Sequence, residues 1–195
     1  METGRLPWLT LADLDETQAA LHESITGGPR AQTRAFPMTD EEGRLYGPFN
    51  AMIHEPVVGA VLSELGVALR YRSVIPGRMR EVAICEVAAT CRSEFEWFAH
   101  AAIAQGLGIS EEDLDAIRTG AVATGLEPDE TLARRLANEL VTKRDLDDAD
   151  YAEGVAALGL EVLVDLVFLV GFYATISTTL ATFRVPLPPG FSTVF

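Results

Sequence analysis

The chain has 195 residues, 48% of them hydrophobic, and a formal net charge of −14. That length supports one sizeable core and one domain, and the excess of acid repels phosphate backbones and anionic lipid, which excludes nucleic acid and a membrane surface as expected partners. A mean hydropathy of +0.17 is high for a small soluble domain, and predicts that part of the apolar surface is covered by other copies of the chain.

Residues 1–45 read as an N-terminal segment packing on a main domain of residues 46–195. Within it, Asp13 or Asp15 can cap a short helix through Ala19, Ala20 and Leu21, terminated by Gly27, Gly28 and Pro29. The start METGRLPWLT lacks a basic stretch followed by an apolar run, so no secretory signal is read and a cytoplasmic location is expected. Residues 30–40, polar and containing Pro37, read as a loop, and Thr39 and Glu42 have the spacing of a turn or a cap. Tyr46, Asn50 and His54 are four apart and share a face if this stretch is helical. His54 then either packs against the next helix or helps to wall a pocket.

Pro56 opens a helix with the stripe Val57, Val61, Leu65 and Leu69. After the break at Pro76 and Gly77, a helix through Val82, Ile84, Cys85, Val87 and Ala88 is too apolar for the surface, and it carries Glu81 in its first turns. Cys91 to Ser93 mark a junction, Gly106 and Gly108 end the following helix, and Ser110 caps another that stops at Gly120. Pro128 opens a helix through Leu132, Leu136, Leu140 and Val141, and Asp147 and Asp148 start a short one ending near Gly159. The last helix, Glu161 to about Phe183, is the most hydrophobic. Glu161 and Asp165 crowd its start and Thr175, Ser177, Thr178, Thr179 and Thr182 dilute it, so it reads as buried in a soluble assembly rather than as a membrane span. Residues 185–190, rich in proline, must be extended, and no period-two alternation is sustained. The expected fold is all-α, a bundle of about eight helices.

The chemistry concentrates between Glu81 and His100. Ser93, Glu96 and His100 fall within about 60° of one another on a helical wheel, opposite a core stripe of Phe95, Phe98 and Ala102. That polar face continues into Ala104 and Leu107 rather than into further charge. Such a patch is either a surface pair of Glu96 and His100 or a lined acid/base site, and Ser93 is either the N-cap of its helix or the hydroxyl of that site. Cys85 and Cys91, six apart, have neither metal-ligand nor CxxC spacing.

The segments IPGRMREVAICEVAA, FEWFAHAAIAQGLGISEEDLDAI and GFYATISTTLATFRVPLP resemble the carboxymuconolactone decarboxylase family, whose relatives include alkyl hydroperoxidase D-like proteins. In the hydroperoxidase branch a glutamate is followed, after eleven residues, by Cys-x-x-Cys-x-x-x-His. Here Glu81 and His100 match, but Ser93 and Glu96 stand in the two cysteine places, so a disulfide-cycling peroxidase lacks its thiol pair. Glu96, Trp97 and His100 resemble the decarboxylase branch. The resemblance implies an alkyl hydroperoxidase D-like bundle, an obligate oligomer as a homotrimer or dimer of trimers, and pockets near subunit interfaces, with Tyr46, Asn50 and His54 as a pocket wall.

For a decarboxylase, the site must protonate the dienolate left by loss of CO2, donate to its oxygen and hold a spectator carboxylate. His100 is the expected acid, with Glu96 or Glu81 orienting it and raising its basicity, and Ser93 and Trp97 beside the substrate. Arg78, with a bidentate fork, is the expected partner of the carboxylate, or else an ordinary surface arginine. No metal or organic cofactor is required. Two alternatives remain: a thiol-dependent hydroperoxide reductase using Cys91, and an oligomer of this family that binds a small molecule without turning it over.

Overall fold

Prolines and short polar side chains set the helix boundaries. In the computed structural model, which describes residues 4–29 and 37–195, nine α-helices form among the described residues and no strand does. The expected loop over residues 30–36 lies outside the described residues; Thr39 makes a single antiparallel bridge to Leu45. The helices are α1 (Glu16–Gly27), α2 (Pro48–His54), α3 (Pro56–Tyr71), α4 (Gly77–Thr90), α5 (Glu94–Gly106), α6 (Glu111–Thr119), α7 (Pro128–Lys143), α8 (Asp148–Leu158) and α9 (Leu160–Phe183). Asp15, Ser110 and Asp147 each accept a backbone N–H of the first turn they cap. Such caps offset donors that would otherwise be orphaned at the start of a helix.

Helix α4 sits at the centre and packs against α5, α6, α7 and α9. Every residue from Glu81 to Ala88 is buried. Its lack of an amphipathic pattern has a direct cause: Ala83, Ile84 and Val87 join the main core, whereas Val82, Cys85 and Ala88 join a second apolar cluster with Trp97, Ala104 and Ile109. A helix with core on both sides has no face left for solvent. Helix α9 is long and apolar enough to cross a membrane, yet Leu166, Leu169, Tyr173 and Ile176 are buried against the bundle.

One stripe faces the other way from the sequence expectation. On α3 the inward residues are Gly59, Ser63, Gly66 and Leu69, while Val57, Val61 and Leu65 are exposed. Helices α2 and α3 meet at the Glu55 and Pro56 junction so closely that a Cβ on Gly59 would lie 2.3 Å from the Met52 carbonyl oxygen. Only the small-residue face of α3 fits that contact, so the valines point outward. The core stripe expected on α5 is likewise shorter than its spacing implied: Phe95 is buried and Phe98 half-buried, but Ala102 is exposed.

Two polar links fix α4 against α7. The Glu86 carboxylate accepts from Arg134 Nε at 2.6 Å and from Asn138 Nδ2 at 2.8 Å, and the same Arg134 donates to the Ala121 carbonyl at 2.9 Å. At the other end, Arg78 forks onto Glu130. Removing Glu86 strands a largely buried guanidinium, so Glu86→Ala is expected to lose about 3–5 kcal/mol in urea unfolding. Gly47 precedes α2 at φ 63°, with a Cβ position 2.3 Å from the Phe95 ring. Both the left-handed backbone and the collision penalise a side chain, and Gly47→Ala is expected to cost about 2–4 kcal/mol by the same measurement.

Candidate active site

The turn from α4 to α5 takes only three residues, Cys91 to Ser93, with Arg92 in the left-handed region at φ 50°. Folding the two helices back on each other this tightly brings Glu81 beside His100. The Glu81 Oε2 to His100 Nδ1 distance is 2.6 Å, with the carboxylate fully buried and the imidazole 4% exposed. The other Glu81 oxygen accepts from Arg80 Nε at 3.2 Å. Burial pushes the Glu81 carboxyl up, but the His100 charge and hydrogen bond, with Arg70 and Arg80, outweigh it and hold it below the ordinary carboxylate value. An ionised carboxylate only accepts, so Nδ1 carries a proton and Nε2 is left to exchange one. That Nε2 lies 3.5 Å from Glu96 Oε2, one turn earlier on α5, and Glu96 is also buried.

His100 and Glu96 open onto a cavity of about 40 Å³, which is room for a few waters. Phe49, Met52, Phe95, Phe172 and Ile176 give it apolar walls, and Arg70 and Tyr173 add polar groups. The Tyr173 ring meets the imidazole edge to face, with centroids 5.0 Å apart. Arg70, in the last turn of α3, has a buried Nε with no hydrogen-bond partner, and its guanidinium stands 5.2 Å from the Tyr71 ring centroid. Burial works against its charge, and Tyr173, Glu81, Tyr71 and Glu96 more than offset this, so its pKa is raised.

The remaining expected site residues lie elsewhere. Arg78 does not line the cavity: its fork holds Glu130 at 2.7 and 3.1 Å and the Leu107 carbonyl at 3.1 Å, which ties the start of α4 to α7. Tyr46, Asn50 and His54 face the N-terminal segment instead, because Asn50 Nδ2 and His54 Nε2 both bond the Pro7 carbonyl, at 3.3 and 2.9 Å, and Tyr46 packs edge to face on Trp8. Trp97 belongs to the second apolar cluster and meets the Phe195 ring. Ser93 holds the N-cap position of α5 without a side-chain cap bond, and its buried Oγ has no partner.

Arg70 and Tyr173 were not found by pattern, since each falls in a helix other than those that carry Glu81 and His100. A signal existed in both cases: an arginine following the buried stripe of α3, and a tyrosine inside the most apolar helix. Neither thiol shares the cavity. Cys85 is fully buried, which pushes its pKa well up, and Cys91 ends α4 with its pKa raised by burial despite Ser177 and Arg144. Among the described residues no group of three or more His, Cys, Asp or Glu side chains is arranged to hold a metal ion.

Residues 56–139 match the family model described as the carboxymuconolactone decarboxylase family. No curated protein matches the chain by sequence. Among solved structures, an uncharacterized peroxidase-related protein from Ralstonia eutropha JMP134, described as an alkylhydroperoxidase AhpD core, superposes with a TM-score of 0.75 at 15% identity, covering 97% of this chain and 94% of its own. A variant of the debrominase Bmp8 in complex with 2,3,4-tribromopyrrole gives 0.73 at 13% identity, over 97% and 94%. An uncharacterized peroxidase-related protein from Silicibacter sp. TM1040 gives 0.74 at 12%, over 95% and 92%. These likenesses establish the fold, and the matched segment contains α3 to α5 with Arg70, Glu81, Glu96 and His100. Residues 56–139 thus resemble the carboxymuconolactone decarboxylase family, and the chain as a whole has the AhpD-like helical fold.

Proposed function

We propose that the protein is a cofactor-independent lyase that removes CO2 from a small lactone or unsaturated carboxylic acid by general acid/base chemistry. The observation that carries this reading is the buried relay from Glu81 through the His100 imidazole to Glu96 at the wall of an apolar cavity. In the reaction, the bond between the carboxylate carbon and the substrate carbon breaks and its electron pair moves into the conjugated carbonyl, giving a dienolate. His100 Nε2 delivers a proton to carbon, and the imidazole takes one back from Glu96 or solvent, so one proton is consumed for each CO2 released. Glu81 is the positioning residue: it fixes the tautomer and stabilises the imidazolium. The aromatic walls, Phe49, Phe95 and Phe172, favour the charge-dispersed dienolate over the localised carboxylate.

The ring-sized ligand held by the debrominase of the same fold supports a flat, compact substrate. Cytoplasmic assembly as a trimer or dimer of trimers belongs to the same proposal, with Val57, Val61 and Leu65 of α3 on the covered face. A hydroperoxide reductase is disfavoured, because neither thiol lines the cavity and both have raised pKa values, which lowers the thiolate fraction.

His100→Ala and Glu96→Gln are each expected to lower CO2 release about 10²–10⁴-fold on a substrate that the unaltered protein turns over. Losses under tenfold in both would remove the acid/base assignment. The depressed Glu81 carboxyl also sets an acid limit. A group lowered on folding stabilises fully above its unfolded value, about 4.3, and the contribution disappears as pH falls through the lower folded value. Melting temperature should accordingly fall steeply below about pH 4, and the fall should be shallower in Glu81→Gln.

A further inference from the structure

The guanidinium at the end of α3 is out of balance with its surroundings. Its Nε–H is buried with no acceptor, a state that costs about 1–3 kcal/mol for a neutral group and more for a charged one. The acids around it do not relieve that deficit. Glu81 has one oxygen on His100 and the other on Arg80, and it acts on Arg70 only through space. The Arg78 fork is taken by Glu130, well away from the cavity lining. Arg70 thus brings an uncommitted donor to a chamber that His100, Glu96 and Tyr173 also line and that is otherwise apolar among the described residues.

From this juxtaposition we infer that Arg70 is the anion-binding residue of the cavity, and that the ligand class is a small, flat organic carboxylate whose charged end pairs with the guanidinium while its unsaturated body lies between Phe49, Phe95 and Phe172. This rests on reading the cavity as the substrate site, and adds which end of the substrate is held and by what. A carboxylate on Arg70 supplies the missing acceptor and compensates a desolvated charge, whereas a neutral isostere offers a weaker, uncharged acceptor. The body of the ligand then lies toward the His100 imidazole, which lines the same chamber. Met38 and Met52, flexible thioethers in the wall, allow the chamber to widen beyond its present 40 Å³.

The test is calorimetric titration of the purified protein at pH 7 with sorbate and benzoate, and with sorbamide and benzamide as neutral counterparts. The expected result is binding of at least one acid and at least tenfold weaker binding of its amide. Arg70→Met should weaken acid binding at least tenfold, Arg70→Lys should retain part of it, and Arg78→Met should leave it unchanged. Circular dichroism of Arg70→Met should show native helicity, because the substitution removes a buried N–H that has no acceptor. Binding is read without turnover, so failure of the lyase chemistry and failure of the anion site are separable. The inference is overturned if neither acid binds, if acids and amides bind equally, or if Arg70→Met and Arg70→Lys bind acids as the unaltered protein does.

Discussion

The contact between the Glu81 carboxylate and the His100 imidazole is the constraint around which the bundle is arranged. A carboxylate with no exposure is tolerated only when its lone pairs are taken up, and at 2.6 Å His100 takes one side while Arg80 takes the other. That requirement fixes the register of α4 against α5, and the three-residue turn with Arg92 in the left-handed region makes the register reachable. Once α4 and α5 are locked, they form a wall with apolar clusters on both sides.

The other polar links of α4 belong to scaffolding rather than to chemistry, and the distinction lies in what they leave free. Glu86, Arg134 and Asn138 satisfy one another and tie in the end of α6 through the Ala116 and Ala121 carbonyls. Arg78 and Glu130 close on each other in the same manner. In the cavity the balance is incomplete: His100 Nε2 is 3.5 Å from its carboxylate and the Arg70 Nε has no partner. Structural networks are closed, whereas groups that serve a ligand must hold capacity in reserve.

The two thiols of this chain sit apart: Cys85 inside the second apolar cluster, Cys91 at the far end of α4. Glu96 stands one turn from His100, so a carboxylate and an imidazole share one face of α5. The AhpD-like fold at 12–15% identity illustrates how far side chains can change under a conserved arrangement of helices.

Much of this was already written in the local sequence. Helix boundaries follow from Pro56, Pro128, Ser110 and Asp147, because caps and prolines act within one turn of where they stand. Glu96 and His100 share a face by spacing alone, and the burial of α4 follows from apolar residues on all its sides, Val82, Ile84, Cys85, Val87 and Ala88. The outward turn of the α3 valines could not be read there, since the close approach permitted by Gly59 outweighs the hydrophobic stripe. Nor could the placement of Arg70, rather than Arg78, at the cavity wall, or the partnership of Tyr46, Asn50 and His54 with Trp8 and Pro7. Spacing fixes which residues share a helix face, but which neighbour that face meets depends on contacts between elements distant in the chain, and those exist only once the helices have packed.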